Sequence, residues 1–441
     1  MKIFFVRFFV YLSVFVLIVG GIGALGALHS RADWLSVRDM PAPTLQGVKV
    51  PDFHPNKPTV AVVLGDPLTE VFDFMVPYEM FAMTEAYNVF AVAPENKVTS
   101  LTGGLDIVPH FSFKELDQLL EKSPDLIVVP YMPMVDEEKY RPVREWIQQH
   151  ENTQFLSICS GSRNMAEAGL LKGNTSTIHW RIVHQVEKLF PDTNWIRDQR
   201  YVQDGNVTSS AGLTSGIDAV LYVISQQLGE SMADKVAKEM NYPSYHFVEN
   251  PKVEPYYIDQ TEVVYYLNLA FQFHKKKVGV LLYEGMEEGA LASIFDTYSP
   301  LGTTKVFTLS DSYSPIVTKH HLNLITRSPI SQAPTLDRIL VTGTNLSSLD
   351  VEMGEGVEPE FIHRGTPDRF VFDATLEDLA MQEDRLTAEW AAKRLEYRAN
   401  HLKLEGKPFP IEAFFSLLFL SAIALLTAYF VDRRFIVKHK S

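Results

Sequence analysis

Residues 154–171 read QFLSICSGSRNMAEAGLL. The opening QFLSIC is short and largely apolar, as a buried strand is, and SRNMAEAGLL, which follows it directly, has the apolar spacing of a helix. A strand that passes almost directly into a helix is the repeating unit of a parallel α/β sheet, and such sheets gather their sites at the carboxyl ends of strands. Cys159 stands at such an end. A thiol there has three physical advantages as a nucleophile: the tight turn lifts it from the sheet, the helix start favours thiolate, and free backbone N–H groups are at hand for an oxyanion. Gly161 allows the close backbone approach that this turn needs. A lone cysteine is also often just a small buried residue, and pattern alone leaves that reading open.

The same alternation extends outward. VAVVL at 60–64, bounded by Gly65, Asp66 and Pro67, predicts a buried parallel strand, with a helix over 69–87 behind it. VFAVAP (89–94) and DLIVVP (125–130) predict two more strands around a helical FKELDQLLEK. The expected fold class is α/β, a flavodoxin-like parallel sheet flanked by helices over 58–245. After a linker at 246–275, KKVGVLLYEGMEEGALASIFDTY (276–298) repeats the order strand, acidic turn, helix, and RILVTG (338–343) parallels DLIVVP. The expectation is a degenerate second copy of the unit over 276–400. Residues 375–398, TLEDLAMQEDRLTAEWAAKRLEYR, predict one charged amphipathic helix that packs on the second unit and does no chemistry.

Both ends are apolar. Residues 8–28 carry no charge, which suits the roughly 20 residues a membrane-spanning helix requires. A second run covers 413–431, giving expected transmembrane helices at 1–29 and 410–432. Lys2 and Arg7 flank the first run and Arg433, Arg434, Lys438 and Lys440 follow the second, so basic flanks put both termini in the cytoplasm and the main body outside. Small residues Ala24, Gly26 and Ala27 keep a cleaved signal peptide open for the first run. Residues 30–57, rich in proline, read as an extended linker.

A formal net charge of −14, concentrated in the exported part, argues against nucleic acid as a partner. With one cysteine, the chain has neither an internal disulfide nor a cysteine-rich metal site. No metal or other cofactor is called for. Small molecules and the lipid bilayer are the expected partners, with a membrane protein or a second copy of the chain as further candidates.

The segments VAVVL, FDFMVPYEMFA, DLIVVP, SICSGSRNMAEAGLLKGNTSTIHW and YVQDGNVTSSAGLTSGIDAVLYVI, in that order over about 58–240, resemble the ThiJ/PfpI family of the class I glutamine-amidotransferase-like fold. The branch they are most similar to holds isocyanide hydratases and the sensor domains of AraC-type regulators. The resemblance implies Cys159 as nucleophile, Asp73, four residues before Pro77, as the acid that manages its proton, and His179 as a histidine near the thiol. Ser160 stands where the hydratases have threonine and PfpI-like proteases have histidine, which weakens a protease reading. Where the family has a pair of glycines that help build the oxyanion pocket, this chain has Tyr131, Met132 and Pro133, so bulk narrows the pocket. Plainer roles stay open too: Asp73 as a turn residue, His179 as a packed imidazole beside Trp180, and Thr214 and Ser215 as helix-start residues.

Three functions are open to such a chain. One is a cysteine-dependent hydrolase, lyase or hydratase acting on a small electrophile, with Cys159 attacking and N–H groups around Ser160 and Gly161 holding the anion. Another is a non-catalytic binding or sensory module that reports to a membrane partner. The third makes Cys159 an oxidation sensor, which requires a readily formed thiolate.

Overall fold

The computed structural model describes residues 2–40, 45–343 and 358–437. Its first sheet holds β1 (Thr59–Val63), β2 (Asn88–Ala93), β3 (Phe111–Ser112), β4 (Leu126–Val129), β5 (Gln154–Ser157), β6 (Tyr201–Asp204) and β7 (Val207–Ser210), in the spatial order β6-β7-β5-β4-β1-β2-β3. All neighbours are parallel except β6 and β7. Alternation along β1 shows how both faces are covered: Val60 and Val62 join one hydrophobic cluster, and Ala61 and Val63 the other. Helices α1 (Val71–Met83), α2 (Gly161–Glu167) and α3 (Leu213–Leu228) follow β1, β5 and β7. The fold is thus α/β, as the sequence suggests.

The second sheet holds β8 (Lys276–Leu281), β9 (Thr304–Ser310), β10 (Ser328–Pro329), β11 (Arg338–Val341) and β12 (Pro359–Phe361), all parallel, in the order β10-β9-β8-β11-β12. Read from β12, the chain order of these strands matches that of β5-β4-β1-β2-β3. A small third sheet ties the halves together, with Asn323–Ile325 antiparallel to Leu105–Val108 and Leu324 opposite Ile107. Helix α1 packs on α5 (Glu288–Tyr298), so one cluster contains Phe72 and Met75 alongside Phe295 and Trp390.

Three expectations change in detail. Helix α4 (Gln260–Phe271) lies within the stretch read as the second linker. The single helix expected over 375–398 is two, α6 (Val371–Gln382) and α7 (Arg385–Arg394), because the Asp384 side chain caps α7 by accepting from the Thr387 N–H and so starts a new helix. Residues 30–34 belong to the N-terminal helix, and the stretch after it is held rather than loose: Arg38 pairs with buried Asp106 at 2.8 Å, and Lys49 N–H donates to Asn323 Oδ1 at 2.7 Å.

Among the described residues, two helices are long and apolar enough to cross a membrane, Phe4–Trp34 and Ile411–Arg434. They run antiparallel, with Val19 packed against Leu420 and Ala424, and Arg7 paired with Asp432 at 3.0 Å. The N-terminal helix also docks on α4. A Cβ on Gly26 would lie 2.2 Å from the Ala270 carbonyl oxygen, so only glycine permits this approach.

Candidate functional site

Cys159 lies between β5 and α2 with φ 54°, a left-handed conformation that a side-chain-bearing residue adopts at a cost. Packing holds it there. A Cβ on Gly161 would sit 2.1 Å from the Val129 carbonyl oxygen, and the Cys159 N–H donates to Ser210 Oγ at 3.0 Å. The strand-to-helix turn expected from the sequence is therefore present.

Its surroundings are closed. Cys159 is only 5% exposed and belongs to the hydrophobic core. Burial, then the charges of Asp73, Glu70 and Glu396, push the thiol well above its usual pKa, against a weak contact with Ser160 Oγ at 3.8 Å. The thiolate that a helix start would favour, and that an oxidation sensor needs, is thus disfavoured here. The α2 helix has seven residues, too few to outweigh burial among carboxyl groups.

Asp73 is fully buried in the first turn of α1. Its Oδ2 accepts the Tyr131 N–H at 3.2 Å, while Oδ1 has no partner among the described residues. Burial, reinforced by Asp296, raises Asp73 well above the usual carboxylate range. Glu70 caps α1 by accepting the Asp73 N–H at 2.9 Å and is likewise raised, by burial and then by Asp296 and Asp73.

The backbone groups of Tyr131 and Met132 are engaged within the fold. Tyr131 spends its N–H on Asp73, and Met132 exchanges two hydrogen bonds with the Asn164 amide at 3.1 and 2.9 Å. Gly161 N–H goes to the Ile158 carbonyl at 2.8 Å. These donors are spent within the fold rather than directed at a substrate oxyanion.

His179 is buried beside Trp180. Its Nε2 donates to the Arg394 carbonyl at 3.0 Å and its Nδ1 accepts the Arg181 N–H at 3.4 Å. Burial lowers it to about 3, so it is a neutral imidazole with both nitrogens occupied. It holds the backbone carbonyl of Arg394.

That backbone is part of a segment no local pattern announces. Residues 394–397, where α7 ends, lie over the cysteine turn. Thr214 N–H donates to the Leu395 carbonyl at 3.0 Å, Arg200 Nη1 and Thr214 Oγ1 donate to the Glu396 carbonyl at 2.8 and 2.9 Å, and Ser215 Oγ donates to Glu396 Oε2 at 2.8 Å. Arg394 reaches further in, pairing with Asp296 at 2.9 Å and Glu70 at 3.3 Å. Thr214 and Ser215, which the sequence leaves as helix-start residues, are the clamp for this segment. Glu70, Arg200, Asp296, Arg394 and Glu396 all escape sequence reading. Only Glu70, directly before the helix of Asp73, carries a local signal, as an N-cap.

Elsewhere, Glu79, Glu288 and His320 bring ligand-type atoms within 4.8 Å of one another, a grouping that could hold a metal ion. Beside the covered cysteine a chamber of about 500 Å³ opens, with Ala211 and Glu396 in its wall. Cys159 does not line it.

The family model described as the DJ-1/PfpI family matches residues 58–226. The chain carries a DJ-1/PfpI family domain. Isonitrile hydratase from Pseudomonas putida is 28% identical over 182 residues, a match that takes in 40% of this chain and 75% of the hydratase. The HTH-type transcriptional regulator CdhR from Pseudomonas aeruginosa is 34% identical over 97 residues, 22% of this chain and 29% of the regulator. Among solved structures, a cysteine-to-alanine mutant of a DJ-1 superfamily protein from Salmonella typhimurium aligns with a TM-score of 0.37 and 22% identity, over 42% of this chain and 99% of that one. A ThiJ/PfpI family protein from Pseudomonas syringae gives a TM-score of 0.36 and 21% identity, over 50% and 89%. The DJ-1/PfpI domain thus accounts for the first sheet and the cysteine turn, while Arg394 and Glu396 come from outside the matched residues.

Proposed function

We propose that this chain is a membrane-anchored, extracytoplasmic small-molecule sensor built on a DJ-1/PfpI domain, with its cysteine site closed by its own C-terminal segment. The observation that carries this is the seating of residues 394–397 on the cysteine turn, where Glu396 meets Ser215 at 2.8 Å while Cys159 is 5% exposed. A nucleophile that is neutral, buried and covered is not poised for turnover. The chain has its own means of relaying a change at that segment, since α6 and α7 join it to the second unit, which we read as a degenerate copy of the first. The matching strand order supports that reading. Regulators among the relatives accord with sensing rather than catalysis.

Anchoring by both terminal helices, with both termini cytoplasmic, is supported by their basic flanks and by the Arg7–Asp432 pair at 3.0 Å between the two helices. A reporter fused to either end checks it.

A second reading keeps catalysis. The strained turn at Cys159, φ 54°, and the unpartnered Oδ1 of Asp73 are what a hydratase or related lyase would use once the segment moved away. The two readings part in one experiment. Purified full-length chain is assayed for hydration of simple isonitriles beside a Cys159→Ala chain. Equal, background rates support the sensor; turnover that disappears with the thiol establishes the enzyme.

A further inference from the structure

We infer that the chamber beside the cysteine turn is a binding site for a small aromatic or branched apolar monocarboxylate. This rests on the sensor reading and names its ligand class.

The chamber measures about 500 Å³, within the range of small-molecule sites. Its wall includes Ile178, Ala211 and Val253, and its edge carries Tyr257 and Ile258, which are 71% and 81% exposed. Apolar side chains left open to solvent around a cavity favour an apolar guest. Two polar atoms specify more. Trp180 Nε1 and the Tyr256 hydroxyl, both on chamber residues, are buried yet have no hydrogen-bond partner among the described residues. Buried donors left unmade are costly, and an acceptor oxygen brought by a ligand satisfies either one once its ring turns toward the chamber. The two rings stand 6.1 Å apart, inclined at 32°.

Charge chooses among acceptors. Arg181, His184 and Arg197 also line the chamber. Arg197 is shared with Glu187 at 2.5 Å, and Arg181 lies 3.7 Å from Glu262, so the cations are partly balanced outside the chamber. Within it the acidic lining residue is Glu396, which burial holds toward its neutral form. The lining therefore carries more cationic than acidic side chains, and a carboxylate suits it better than an amine.

The site differs in kind from the cysteine turn, because its residues are donors and aromatic rings rather than a nucleophile. Glu396 belongs to both, so occupancy of one is felt at the other.

The test uses detergent-solubilised full-length chain, calorimetric titration, and phenylacetate, phenylacetamide and phenethylamine as probes, with isovalerate as the branched case. Expected are saturable binding of phenylacetate or isovalerate, weaker binding of the amide, and none of the amine. Trp180→Phe and Tyr256→Phe, which keep an aromatic ring, each weaken the carboxylate about five- to tenfold, the loss of one hydrogen bond. Absence of saturable carboxylate binding in the wild-type chain, equal affinity for the amine, or affinity unmoved in both ring variants overturns the assignment. The sensor reading fails on a different signal, thiol-dependent turnover, so the two outcomes are told apart.

Discussion

Gly212 and Glu396 touch so closely that a Cβ on Gly212 would lie 2.4 Å from Glu396 Cδ. Gly212 has φ −129°, which any residue accepts, so alanine there meets only the steric obstacle. Gly212→Ala is expected to push the Glu396 side chain off the cysteine turn, at an overpacking cost of about 1–3 kcal/mol. Iodoacetamide should then label Cys159 several-fold faster than in the wild-type chain. An unchanged labelling rate in a folded variant would show that Glu396 does not guard the thiol.

The thiol's own titration gives a second expectation. Burial and the facing carboxyl groups raise Cys159 well above the ordinary thiol value. Labelling of the native chain should therefore be slower at neutral pH than for a free cysteine, and should still be climbing where a free thiol, with a pKa of about 8.5, has levelled off. A plateau near neutrality would mean that the surroundings stabilise thiolate instead.

How much of this site could be read from the sequence depends on distance along the chain. The turn at Cys159 was legible because QFLSIC and the helix after it are local patterns, and Asp73 was named by the family resemblance of FDFMVPYEMFA. The strands around that turn were legible for the same reason, with boundaries shifted by a residue or two. Arg394 and Glu396 were not. They meet Glu70 and Ser215 across 324 and 181 residues, and no periodicity records such a pairing. The break between α6 and α7 was missed because QEDRLT looks helical by composition, while Asp384 acts as a cap. For His179 the resemblance implies a histidine near the thiol, and no local pattern records the Arg394 carbonyl, 215 residues on, that fixes its ring.

Glu79, where α1 meets α5, makes stability depend on pH. Burial, reinforced by Glu288, raises it to about 8, above an unfolded value of about 4.3. Between those values the folded state keeps a proton that the unfolded chain has lost, so stability falls as pH rises through this window. Below it the penalty vanishes. His320, also raised, acts in the same direction, and Glu288, which is lowered, acts oppositely at acid pH. Glu79→Gln can still accept the Gly289 N–H, which Glu79 Oε2 accepts at 2.9 Å. It should stabilise the chain by on the order of 1–3 kcal/mol at about pH 8.5 and by little at about pH 5. Thermal unfolding at the two pH values checks this, and equal shifts at both would refute it.

The N-terminal helix offers a separate test of anchoring. Gly26 lies so close to the α4 backbone that a Cβ there would come within 2.2 Å of the Ala270 oxygen, and Ser30 Oγ donates to the Leu269 carbonyl at 3.0 Å. A segment built into the fold in this way is expected to persist in the mature chain. Intact mass should include residues 1–29, and Gly26→Val should loosen the helix so that protease cuts after Trp34. A mature chain beginning beyond this helix would assign it to a cleaved signal.

Arg394 joins the two halves at the site itself. Nη1 faces Asp296 of the second half at 2.9 Å, Nη2 faces Glu70 of the first at 3.3 Å, and the guanidinium lies 5.7 Å from the centre of the Trp34 ring. Removing one member of a buried charge pair strands its partners, so Arg394→Met should destabilise the chain by about 3–5 kcal/mol. Lysine restores the charge but not the fork, since an ammonium is a point charge that cannot address two carboxyl groups in the same planar geometry. Arg394→Lys is therefore expected to recover only part of the loss. Glu70→Gln in the Arg394→Met background should recover part of it as well, because it removes one of the stranded acids. Chemical denaturation of the single and double variants measures the coupling, and strictly additive losses would show that Arg394 and Glu70 do not act on each other.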